Sequence, residues 1–166
     1  MEQIYVSGLE EKAREKSIEL LNARLLDCID LTLAVKQAHW TIKGSSFIGL
    51  HELLDAIAER MRERSDTIAE RSIILGGHTG GTAQGVTKGS QLEAYPQDIT
   101  YQKDHVEALT KRFIAFGKNL RQSFEQADEA GDDDTADLFT EISRGIDKDA
   151  WFIGAHYDEA AANTGR

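Results

Sequence analysis

Pro96 is the only proline among 166 residues. Proline stops helices firmly, because its ring removes a backbone donor and clashes with the preceding turn. Both flanks of position 96 are therefore free to be helical, and glycines divide each flank once more. An apolar pattern runs through Leu9, Ile18, Leu21, Leu25, Ile29 and Leu33 to about Ile42, with Ser7 and Glu10 at capping-box spacing. Gly44 is placed to end that helix, and Ser45 or Ser46 to cap the next. The stripe Leu50, Leu54, Ile57, Met61 and Ile68 predicts a second helix over 47–75, stopped by Gly76 and Gly77. Asp98 is placed to cap a third helix carrying Val106, Leu109, Phe113, Phe116, Leu120 and Phe124, which Gly131 breaks. Asp132, Asp133 or Asp134 starts a fourth, with Leu138, Ile142, Ile146, Ile153 and Tyr157 on one face.

The first and last joins are short, so each makes an antiparallel helix pair. The middle join, 76–98, must travel the length of a bundle, on the order of 40 Å. Long helices with one long crossover make an all-α fold, a ferritin-like four-helix bundle. Ser90 and Glu93 form another capping-box pair, which predicts that "SQLEAY" is a short helix within the crossover. The chain reads as one domain over 1–166, with 1–8 as a candidate flexible tail. No repeat, low-complexity tract or strand-like alternation interrupts it.

Net charge is −10, a poor balance for neutralising phosphates and a good one for cations. Cys28 is the single cysteine and sits in an apolar run, which excludes an intrachain disulfide and points to a buried thiol in a reducing compartment. The start, "MEQIYVSGLEEK", lacks the basic flank and apolar stretch of a signal peptide, and no run approaches a membrane span. The expected location is the cytoplasm, with no membrane partner.

The second helix carries His51, Asp55, Asp66 and Glu70, which fall at roughly 0°, 40°, 60° and 100° around its axis. Each i, i+4 pair presents two ligands to one ion, yet the pairs stand about 22 Å apart along the helix. Folding the first helix back about the 43–46 turn brings His39 level with the His51/Asp55 pair. Asp66 and Glu70 are left at the far end. A two-fold axis near Arg60 and Met61, pairing this helix antiparallel with its copy, sets His39, His51 and Asp55 of one chain against Asp66 and Glu70 of the other. Imidazole and carboxylate without thiolate suit Fe(II), with Zn and Mn as competitors. Glu52, Glu59 and Glu63 share the same sector, so spacing alone leaves two readings open, a metal centre or a solvated acidic face. His78, His105 and His156 lack such a grouping and read as surface or core residues.

The stretches "KQAHWTIKG", "FIGLHELLD", "SDTIAERSIILGG", "QLEAYPQDI" and "DDDTADLFTEISRGIDKDAWFI" closely resemble the DNA-protection-during-starvation (Dps) family of ferritin-like mini-cages, from about Ile18 to Phe152. The resemblance implies a ferroxidase centre between subunits at His39, His51, Asp55, Asp66 and Glu70. It further implies a homo-dodecamer built from two-fold dimers, oxidising Fe(II) preferentially with hydrogen peroxide and storing ferric mineral inside. Trp40 resembles the family tryptophan beside the iron centre, a position from which it could accept stray oxidising equivalents, although an aromatic on a packed helix needs no such role, and it is not counted among the ligands. The run 131–137, "GDDDTAD", resembles the segment at the family's iron-admitting pores, with Asp132 to Asp137 as candidates, although carboxylates there also favour the helix dipole. Other ferritins use Glu-x-x-His ligands, and no Glu-x-x-His occurs in this chain.

The departure concerns DNA. The first ten residues contain no lysine or arginine, and "AAANTGR" at the end has one arginine. Strong DNA binding is therefore not expected. The alternative function is a non-catalytic acidic helical bundle, a scaffold or nucleoid-associated protein, in which the histidine–carboxylate face is only solvated.

Overall fold

A computed structural model describes residues 3–157. The segment "AAANTGR", used above to argue about DNA, lies outside the described residues. Five helices follow one another: α1 (Glu11–Thr41), α2 (Phe47–Ile74), α3 (Ala83–Gly89), α4 (Gln102–Ala130) and α5 (Asp133–Gly154). The long helices form two hairpins, α1 with α2 and α4 with α5, which dock chiefly through α1 on α4. The described residues contain no strand, only an isolated parallel bridge between Lys43 and Tyr101. The chain is an all-α ferritin-like bundle.

The stripe on α2 lies in the core as its spacing predicts. Leu50, Leu54, Ile57, Met61 and Ile68 are all buried, as are Val106, Leu109, Phe113, Phe116 and Leu120 of α4. Each such side chain contributes about 1.5–3 kcal/mol relative to exposure. The stripe on α1 does not hold, since Leu33 is 59% exposed. Steps of four residues rotate about 40° further round the helix each time. The run Leu21, Leu25, Ile29, Leu33 thus winds out of the core, which instead continues through Cys28, Leu31, Val35 and Ile42.

Three helix boundaries also differ from expectation. The Ser7/Glu10 box does not form: Glu10 is the N-cap of α1 and makes no side-chain capping bond. The third long helix begins at Gln102 rather than after Asp98. Residues 100–102 are held extended, because Lys43 N donates to Thr100 O and Gln102 N donates to Lys43 O, both at 2.8 Å. The short helix is Ala83–Gly89, capped by Thr82, and "SQLEAY" is not helical. Ser90 ends that helix rather than starting one, and its hydroxyl donates to Asp30 at 2.6 Å. A side chain at Gly89 would overlap Leu26 of α1, so glycine permits the close approach.

Buried ion pairs fix the remaining geometry. Asp27 is fully buried and accepts from Gln91 N (2.7 Å) and Asn119 Nδ2 (3.1 Å), while Arg24 lies 2.9 Å away. One carboxylate thereby joins α1, the crossover and α4. Asp149 of α5 pairs with Arg60 and Arg64 of α2, each at 2.6 Å. Cys28 is buried, as expected, and burial pushes its thiol up to about 12. Near the N-terminus, Tyr5 N donates to Ile74 O at 3.0 Å. No helix among the described residues is long and apolar enough to cross a membrane.

Candidate metal centre

The α1–α2 turn is short because Gly44 adopts φ +153°, which reverses the chain within a few residues. His39, in the last turn of α1, therefore meets His51, in the second turn of α2. Their rings stack 3.7 Å apart at 18°. Each Nδ1 lies 2.8 Å from the other residue's backbone carbonyl oxygen. A carbonyl only accepts, so both Nδ1 atoms carry hydrogen and, in the neutral ring, both Nε2 atoms keep a lone pair. That is the tautomer a metal ligand needs, fixed by a partner on the opposite nitrogen. Phe47 covers His51 from one side, with ring centroids 5.1 Å apart.

Asp55 stands one turn beyond His51, with Oδ1 4.0 Å from His39 Nε2. Its carboxylate is 59% exposed and bonded to Lys36 Nζ at 2.6 Å. That hydrogen bond, with the lysine's charge, holds the Asp55 carboxyl below the usual carboxylate range. Lys36 escaped the sequence reading. Its signal was an i, i+3 relation to His39, which puts a cation on the same face as the site.

The structure thus brings His39, His51 and Asp55 together. It leaves Asp66 and Glu70, both exposed, at the other end of an unbroken α2. Among the described residues, no three metal-ligating side chains of one chain converge on a common ion position. At the midpoint between the two groups, Met61 is fully buried in its own core and Arg60 is bonded to Asp149. Exposed residues at that level include Glu59 and Arg62, themselves paired at 2.8 Å, and Glu63. Trp40 is 68% exposed, with Lys36 Nζ 5.9 Å from its ring centroid.

Asp132 stands apart from the other acidic residues of 131–137. It is buried, caps α5 through Thr135 N at 3.1 Å and pairs with Arg71 at 3.0 Å. Its side chain is committed to the fold, whereas Asp133, Asp134 and Asp137 are exposed. Of the other histidines, His105 is buried, His156 is half-buried and bonded to Phe152 O, and His78 is exposed.

The family model of the ferritin-like domain matches residues 18–162. The chain is 44% identical over 153 residues to the DNA protection during starvation protein of Agrobacterium fabrum, covering 92% of this chain and 94% of that one. A solved structure of Mycobacterium smegmatis Dps, tetragonal form, is similar with a TM-score of 0.89 and 28% identity, over 96% of this chain and 97% of its own. Dps from Microbacterium arborescens in the high iron form gives a TM-score of 0.82 and 29% identity, over 89% and 95% of the two chains. On sequence, fold and length together, this chain belongs to the Dps family of ferritin-like proteins.

Proposed function

We propose that this protein is a mini-ferritin that oxidises Fe(II) with hydrogen peroxide at centres shared between two copies, and stores the ferric product within a dodecameric cage. Iron handling is the broad property of the family to which it belongs. A similar Dps has been solved in a high iron form. Each centre takes His39, His51 and Asp55 from one chain and Asp66 and Glu70 from its two-fold partner.

The observation that carries this reading is the reciprocal bonding of His39 and His51, which leaves two imidazole lone pairs beside a carboxylate held only by a lysine. A solvated acidic face has no need of two histidines with fixed tautomers. Fe(II), the substrate, displaces the Lys36 ammonium from Asp55 and exchanges one positive partner for another. The partner's carboxylates then balance the added charge of the ferric product. Peroxide is reduced by two electrons, one from each of two Fe(II), and leaves as water once two protons are supplied.

The test is to add hydrogen peroxide to anaerobic, Fe(II)-loaded protein and follow Fe(III) absorbance, beside a His51→Ala/Asp55→Ala variant. Rapid oxidation with iron kept soluble, lost in the variant, is the expected result. Oxidation no faster than in buffer, with precipitate in both samples, would make the face structural. A gel shift at about 0.15 M salt is expected to show no retained DNA, because repulsion from −10 charges per chain is multiplied over the cage.

A further inference from the structure

His105 is 1% exposed and bonded at both ring nitrogens. Nε2 lies 3.2 Å from Thr41 Oγ1, and Nδ1 lies 2.6 Å from the Tyr95 hydroxyl. The Thr41 hydroxyl has one hydrogen, which it gives to Gln37 O at 2.8 Å. Thr41 Oγ1 therefore accepts from His105 Nε2–H, and the lone pair of the neutral ring is on Nδ1. Burial favours that neutral ring by pushing the His105 pKa down. Tyr95 O–H must then donate to Nδ1. The rings lie within 15° of parallel with centroids 6.1 Å apart, so the contact is end-on, hydroxyl to nitrogen, rather than face to face.

Tethering the crossover to α4 does not require this bond. Arg112 already donates to the carbonyls of Glu93 and Ala94, the two residues that precede Tyr95 in the same loop. Arg112 also lies 5.0 Å from the Tyr95 ring centroid. A guanidinium there disfavours positive charge on the phenol, so an electron leaves Tyr95 readily only if the proton leaves as well. Burial raises the Tyr95 pKa, which closes the route through a phenolate formed beforehand. The base for a coupled transfer is already in place.

The position matters too. Thr41 follows Trp40, which follows His39, and Trp40 and Tyr95 line one cleft of about 980 Å³. We propose that Tyr95 and His105 form a redox pair, in which Tyr95 surrenders an electron to oxidising equivalents escaping the iron centre while its phenolic proton moves to His105 Nδ1.

This deepens the ferroxidase reading and rests on it. When only one Fe(II) meets a peroxide, the products are Fe(III), hydroxide and a one-electron oxidant of the hydroxyl-radical class. That oxidant takes an electron from Trp40 and becomes hydroxide. The Trp40 cation radical is refilled from Tyr95, leaving a neutral tyrosyl radical and a His105 imidazolium. A later Fe(II) returns the electron, itself becoming Fe(III), and the proton returns to the Tyr95 oxygen.

The experiment is electron paramagnetic resonance on the whole protein, oxidised in two ways. In one, substoichiometric peroxide is added to Fe(II)-loaded protein. In the other, a photogenerated ruthenium(III) oxidant acts on iron-free protein, so that a failed ferroxidase does not hide the pair. The expected signal is a neutral tyrosyl radical that narrows with ring-deuterated tyrosine and falls to background in Tyr95→Phe and His105→Gln. The chain has four tyrosines, and Tyr5, Tyr101 and Tyr157 are exposed. A triple Tyr5→Phe/Tyr101→Phe/Tyr157→Phe variant should therefore fold and keep the signal, even if the Tyr95 and His105 variants do not fold. Loss of the tyrosyl signal in the triple variant would overturn the proposal, as would a wild-type signal confined to tryptophan. Iron oxidation failing while the photochemical signal appears on Tyr95 would overturn the ferroxidase reading alone.

Discussion

Helix α2 meets two aspartates in opposite circumstances. Asp149 is 1% exposed and clamped by two guanidinium groups, Arg60 and Arg64. Asp55 is mostly exposed and held by one flexible ammonium, with two imidazole rings beside it. A buried carboxylate with both oxygens engaged is part of the scaffold, since no incoming ion can displace two bound arginines without unfolding the site. A carboxylate whose only charged partner swings on a four-carbon stem can exchange it. The same side chain is structure in one place and binding capacity in the other, and the difference lies in what surrounds it.

Substitutions at the two residues should separate these roles. Asp149→Ala strands two arginines and is expected to cost about 3–5 kcal/mol in a denaturant titration, whereas Asp55→Ala should not shift that midpoint measurably and should abolish rapid Fe(II) oxidation. An Asp149 variant of unchanged stability would break the comparison. Asp132 lies between these extremes. Burial opposes its charge, but the neighbouring Ser17 hydroxyl, the hydroxyl and backbone N–H of Thr135 and the Arg71 guanidinium outweigh it and hold the carboxyl below its ordinary range. A depressed folded-state pKa stabilises above the unfolded value and is lost as pH falls through the folded one. Asp132→Ala should therefore cost about 0.5–2 kcal/mol near neutrality as a lost cap. The gap from wild type should shrink below about pH 4, and a gap constant with pH would show that charge contributes nothing there. The smallest effect is expected at Lys36. Lys36→Met removes a competitor for Asp55 and should tighten Co(II) binding, a redox-stable stand-in for Fe(II), by a few-fold in calorimetry. Weaker binding would mean that the lysine assists the ion rather than competing with it.

Much of this was legible in the chain, for reasons that can be located. The α2 stripe moves in steps of four, three, four and seven and so keeps one face, and every residue named in it is buried. The α1 stripe was built from steps of four and drifted, and no property of Leu33 itself marks it as outward-facing. The crossover helix was misplaced because Ser90 and Glu93 have the right spacing but Ser90 is spent on Asp30, a contact sixty residues away in sequence. Asp98 was misread for a similar reason, since the pairing of 100–102 with Lys43 overrides a local cap. Hairpin geometry was enough to bring His39 to His51 and Asp55. Their locked tautomers were not readable, because backbone carbonyls as ring partners leave no trace in residue identity. The Tyr95–His105 bond was equally invisible: it depends on a loop whose path is set by Asp27 and Arg112.

The reciprocal clasp of His39 and His51 has a mechanical consequence. Each ring is anchored to the helix that carries the other, so neither can turn unless α1 and α2 shift against one another. The rotamer freedom that an ion would otherwise have to quench, about 0.5–1.5 kcal/mol for each side chain, is already lost when the hairpin closes. Stiffness of the α1–α2 pair and readiness of the imidazoles are one property of the molecule. A substitution that loosens helix packing one turn below the rings, at the buried Leu54 for instance, would be felt as a slackening of both together.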